Sequence, residues 1–109
     1  MILQQAIMQL SQKDKIVPKL VMLHECGLAI HKGDKDTMWV VSHFNSGKYI
    51  LKYIKERKKA EEYIERLINI LPSWHFTLKE FDENEWKINK TRLKPIVDTI
   101  QKEILQKEV

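Results

Sequence analysis

Residues 27–71, GLAIHKGDKDTMWVVSHFNSGKYILKYIKERKKAEEYIERLINIL, decide the fold, because the apolar period changes partway along them from two to nearly four. Leu28 and Ile30 alternate with Ala29 and His31, as in a strand with two unlike faces. The polar run Lys32-Gly33-Asp34-Lys35-Asp36 is turn chemistry. A second strand follows, with Met38, Val40, Ser42 and Phe44 on one face and Trp39, Val41 and His43 on the other. Asn45-Ser46-Gly47 supplies a short turn in which Gly47 takes the left-handed position. The third strand, Tyr49 to Ile54, sets Tyr49, Leu51 and Tyr53 against Ile50, Lys52 and Ile54. Ala60, Ile64, Leu67, Ile68 and Leu71 then mark one face of a helix from about Arg57 to Leu71, with Lys58, Lys59, Glu62, Glu65 and Arg66 opposite. Pro72 ends it.

Outward from this run the signals weaken. Leu3, Ala6, Ile7 and Leu10 fall at helical spacing, so residues 2–12 read as a short amphipathic helix. Residues 16–26 read as a helical turn opened by Pro18 that becomes extended near Cys26. Trp74, Phe76 and Leu78 alternate with His75, Thr77 and Lys79, the pattern of a fourth strand. Asp82 followed by Glu85 resembles a helix-start pair, with Trp86 in a turn or short helix behind it. Leu93, Ile96, Val97, Ile100 and Ile104 mark a C-terminal helix from about Thr91, in which Pro95 is tolerated only near the start. The expected fold is α+β, a single domain over residues 1–109. It has a three- to four-stranded antiparallel meander packed by an amphipathic helix, with helical segments at both ends.

Composition limits the function classes. With 43% apolar residues, three Gly and three Pro the chain is foldable, and no run approaches the length of a membrane helix. Met1 to Leu10 lacks the basic start and cleavage site of a secretion signal, and one cysteine excludes an internal disulfide framework; both fit a cytoplasmic protein. No membrane partner is expected. The net charge of +4 permits a polyanionic partner without demanding one.

Catalytic and metal patterns are weak. His24-x-Cys26 has no second pair to complete a zinc site; His31 and His43 lie on neighbouring strands and could converge. Neither metal nor cofactor is expected. Cys26 with a histidine would need an orienting third group and an oxyanion turn, neither of which forms a motif here. A Cys/His-dependent enzyme is therefore the third reading, behind two binding readings. Ser46-Gly47-Lys48 is no phosphate loop, since Ser42 stands where a glycine is needed and Tyr49 where Ser or Thr is needed. Glu80, Asp82, Glu83 and Glu85 read as solvated charge.

The basic segment is the informative one. Lys48, Lys52, Lys55, Arg57, Lys58 and Lys59 face a single acid, Glu56, and Tyr53 lies among them as a possible stacking platform. The leading expectation is a small non-enzymatic protein that binds nucleic acid through these residues. The alternative is a protein-directed inhibitor or accessory subunit using Trp74 and Trp86 as contact residues. In style the chain is similar to small phage, plasmid and host-defence accessory proteins, with no motif that specifies one family. A homodimer is expected as well, because a short meander leaves strand edges open.

Overall fold

The computed structural model describes residues 2–12, 15–33, 38–77, 87–88 and 91–107. Five strands form one antiparallel meander in chain order: β1 (Leu3–Gln12), β2 (Lys15–His24), β3 (Leu28–Lys32), β4 (Trp39–His43) and β5 (Lys48–Ile54). Helix α1 (Arg57–Ile70) follows, then a two-residue ladder of β6 (Lys87–Ile88) with β7 (Thr91–Arg92), then helix α2 (Leu93–Lys107). The α+β class and the meander are as expected, but the sheet has five strands and the N-terminal segment is not helical.

That correction has a tertiary cause. β1 and β2 pair along their whole length, from Leu3↔His24 to Gln12↔Lys15. Ala6, Met8 and Leu10 consequently share one face, with Met8 and Leu10 buried, while Ile7 faces water. Four apolar residues at helical spacing are outweighed by a ten-pair ladder that buries a different set. Pro18 fits in β2 because the even-numbered residues there point away from β1, and β3 pairs with β2 only at Met22 and Leu23.

The core lies on both sides of the sheet. Leu28, Ile30, Val41, Leu51 and Ile54 pack with Ala60, Tyr63, Ile64 and Leu67 of α1 and with Val97, Ile100 and Ile104 of α2. On the other face Met8, Leu10, Val21 and Ala29 form a smaller cluster with Phe44 and Tyr49 against it. β5 makes both possible by bending. Ser42 pairs with Tyr49, Val41 with Leu51 and Trp39 with Ile54, so β5 holds an extra residue twice. The simple alternation expected for Tyr49–Ile54 is therefore replaced by Ile50, Leu51 and Ile54 all joining the helix-side cluster. The curl closes at one end, where Ser11 N–H donates to the Gly47 carbonyl at 3.0 Å. Gly47 has φ +70°, and a Cβ there would lie 2.0 Å from the Gln9 carbonyl oxygen, so the turn requires glycine.

Residues 74–77 do not form the expected fourth strand; residues 78–79 of that expectation lie outside the described set, as do the Asp82–Glu85 helix start, the acidic cluster and Trp86. Trp74 and Phe76 are buried, but the segment crosses between two turns instead of lining a strand edge. Trp74 N–H donates to the Cys26 carbonyl at 2.7 Å. Asn45 Nδ2 donates to the carbonyls of His75 and Phe76. His43, fully buried, donates from Nε2 to the Trp74 carbonyl (2.9 Å) and accepts at Nδ1 from the Ser46 hydroxyl (2.7 Å). Its ring stacks on Phe76 at 4.3 Å.

Two outcomes follow from this packing. Leu67, 1% exposed, joins α1 to the sheet, so Leu67→Ala is expected to lose about 2–5 kcal/mol in denaturant unfolding. Burial holds the His43 imidazole neutral, down to a pKa of about 4 against an ordinary 6.5. The unfolded chain binds that proton first, so stability is full above about pH 6.5 and falls as pH drops toward 4, by up to about 3 kcal/mol. In His43→Gln the part of the pH slope between those values should be absent, whatever the variant's overall stability.

Candidate nucleic-acid interface

The strand–helix junction gathers four of the six basic residues expected at the site, Lys55, Arg57, Lys58 and Lys59. β5 ends at Ile54, Lys55 and Glu56 turn the chain, and α1 begins at Arg57. Tyr53, just before the turn, has φ +64°, the one positive φ among described non-glycine residues. The second bulge of β5 imposes that conformation, which costs a bulky residue on the order of 1–2 kcal/mol. It also swings the tyrosine outward, where it is 53% exposed. Lys55 follows two residues later, within about 7 Å along an extended chain.

Electrostatics sharpen the junction. Glu56 caps α1 with extended backbone and makes no side-chain capping bond. The first turn contains Arg57, Lys58 and Lys59 and no acid. The helix dipole favours anions at that end, and each cation there is disfavoured by about 0.3–1 kcal/mol. Positive side chains and the positive end of the helix thus add in one place. Lys55, Arg57, Lys58 and Lys59 are all exposed. Beside them lies a cleft of about 460 Å³ between the helices, in which Lys55, Lys59, Arg66 and Lys107 outnumber Glu56 and Glu62, with Tyr63 in its wall. Lys59 pairs with Glu62 at 3.3 Å. Arg66 donates to Glu103 of α2, which raises the guanidinium pKa and lowers that of the carboxyl.

Two of the basic residues stand apart. Lys48 pairs with His43 at the opposite end of β5, about 20 Å away along the strand. Lys52 lays its Nζ 4.9 Å from the Tyr49 ring centroid, and its backbone N–H and carbonyl bond to the Gln101 side-chain amide. Tyr49 is half-buried and packs against the smaller core cluster, so Tyr53 alone of the two tyrosines offers an open ring face. Arg66, Tyr63 and Lys107 were not among the expected site residues. Lys107 is about fifty residues from Lys55, and nothing in the local pattern links them. Arg66 had a signal, since it follows Lys59 and Glu62 at helical spacing.

The other candidates fall into structural roles or separate. Trp74, expected as a contact residue, is completely buried in the core, which leaves it no exposed surface for a partner. His31 and His43 do not converge. His31 pairs with Val40 and His43 with Leu28, so their side chains leave opposite faces of the sheet. His31 donates from Nδ1 to the Lys32 carbonyl and accepts from the Ser42 hydroxyl, both at 2.8 Å. Cys26 is buried and its thiol pKa is raised by desolvation, while His24 Nδ1 accepts from the Cys26 backbone N–H at 3.0 Å. Among the described residues no three His, Cys, Asp or Glu side chains gather as metal ligands, and no helix is long and apolar enough to cross a membrane. No protein-family model, curated protein or solved structure matches the chain.

Proposed function

We propose that this protein is a non-enzymatic binder of single-stranded nucleic acid, held at the β5–α1 junction. Tyr53 carries the most weight. It is a large aromatic side chain, 53% exposed and held in a costly backbone conformation, close in sequence to the exposed Lys55, Arg57, Lys58 and Lys59. Apolar packing does not account for that exposure, whereas stacking on an unpaired base does. Lys55, Arg57, Lys58 and Lys59 then hold phosphates, aided by the N-terminal end of α1. Lys107 and Arg66 extend the track across the cleft. Sequence preference is expected to be weak, since stacking and charge read no base edges.

A labelled single-stranded oligonucleotide tests this directly. Affinity should fall steeply with salt, with a slope near −0.7 for each phosphate neutralised. Lys55→Glu, Lys58→Glu and Lys59→Glu together should abolish binding and leave the thermal unfolding curve native-like. Tyr53→Asn should keep or improve stability, because asparagine tolerates φ near +60°, while weakening binding by about 1–3 kcal/mol. Absence of binding at micromolar protein in low salt defeats the proposal, and so does affinity that ignores Tyr53.

A further inference from the structure

The sheet has three stretches of open edge, and two of them carry a feature that hinders pairing. The outer edge of β5 is met at Lys52 by the Gln101 amide, which accepts from the Lys52 N–H (2.8 Å) and donates to its carbonyl (2.9 Å) as a neighbouring strand would. The open stretch of β2 beyond its short contact with β3 contains Pro18, whose missing donor lies on that side. β1 has neither device between Leu3 and Ile7.

Its geometry shows which groups are open. Gln12 and Lys15 close a two-residue hairpin loop, so even-numbered residues of β1 bond to β2 and odd-numbered ones point outward. Ser11 confirms the phase, since its N–H turns away from β2 to reach the Gly47 carbonyl. No described residue pairs with the outward backbone groups of Leu3, Gln5 and Ile7. β1 also carries no charge over its ten residues, in a chain that is 31% charged. Natural edge strands are usually protected by charges, bulges or cover, so a long uncharged edge is one that is paired.

We infer that a second copy of this chain supplies the pairing, β1 against β1 in antiparallel fashion about a two-fold axis through Gln5. That register sets Leu3 opposite Ile7 of the second copy and Gln5 opposite itself, so every outward donor meets an acceptor. A second copy suits this edge better than another protein because the strand is self-complementary and has no charge to select an unlike partner. The helix-side face supports the same register. Ile7 and Leu20, 56% and 57% exposed, are cross-strand neighbours. In the dimer the row Leu20–Ile7 continues into Leu3 of the other copy, and a ten-stranded sheet results. An interface of about five residues a side, against roughly 20–30 in a standard one, buries on the order of 400 Å² in total, so the dimer is weak and dissociation in the high-micromolar to millimolar range is expected.

Sedimentation equilibrium on the full chain should show a reversible monomer–dimer equilibrium. Gln5→Pro removes an outward N–H and no internal bond, so it should give a monomer with native circular dichroism. Gln5→Cys places two thiols about 5.5 Å apart at the Cα atoms across the axis, within disulfide range, and should cross-link on mild oxidation. Gln9→Cys, whose backbone lies against Gly47, should not cross-link. A chain that stays monomeric at the highest concentration overturns the inference, as does a dimer that survives Gln5→Pro. Should Gln5→Pro fail to fold, the cysteine pair decides: cross-linking at Gln5 but not Gln9 supports the register, and any other pattern overturns it.

Discussion

The buried imidazole of His43 ties together three parts of the chain. It belongs to β4, it accepts from Ser46 in the β4–β5 turn, and it donates to the Trp74 carbonyl on the segment returning from α1. That segment has no strand to lie beside, so its backbone polar groups need partners from turns and side chains. His43 and Asn45 supply acceptable ones from one turn, and the Cys26 carbonyl supplies another from the β2–β3 turn. The crossing is tight: a Cβ on Gly27, whose φ is +101°, would lie 2.7 Å from the Trp74 carbonyl oxygen. Because Trp74 and Phe76 complete the core beneath α1, the seating of the helix depends on an imidazole that must remain neutral.

A five-stranded sheet with helices on one side would ordinarily leave its other face in water. Here the two bulges in β5 and the glycine turn at Gly47 curl the sheet until β1 reaches the β4–β5 turn. The concave side then holds a second, smaller cluster around Met8, Leu10, Val21 and Ala29. The same curl explains why β1 and β2 are long: only an extended hairpin spans the distance to Gly47.

Locally unfavourable features concentrate at the β5–α1 junction. A tyrosine at positive φ and a first helical turn of Arg57, Lys58 and Lys59 both run against intrinsic preference. By contrast, Leu67 and Ile64 sit on the apolar stripe of α1, and Gly27 and Gly47 occupy left-handed positions, as local preference dictates. Local exceptions of this kind are expected at functional or strained sites, and the proposed interface rests on them.

The sequence by itself determined β3, β4, β5, α1 and α2, and the absence of any motif for catalysis or metal binding. Those elements are legible because period, turn residues and caps are local: Asn45-Ser46-Gly47 stops a strand wherever it lies, and Ile64 with Leu67 marks a helix face without reference to a partner. The basic cluster from Lys55 to Lys59 is legible for the same reason, being contiguous. Tertiary structure alone decided the rest. Leu3, Ala6, Ile7 and Leu10 fit a helix as well as a strand, and only the β2 ladder, which buries Met8 and exposes Ile7, selects between them. Trp74 and Phe76 alternate like a strand, but no free edge lies beside them. Tyr63 is buried where Ile68 is only half so, which the spacing of apolar residues along α1 does not indicate. Lys107 and Lys55 share a cleft only because α2 packs back along β5, a contact far apart in sequence that no local pattern encodes.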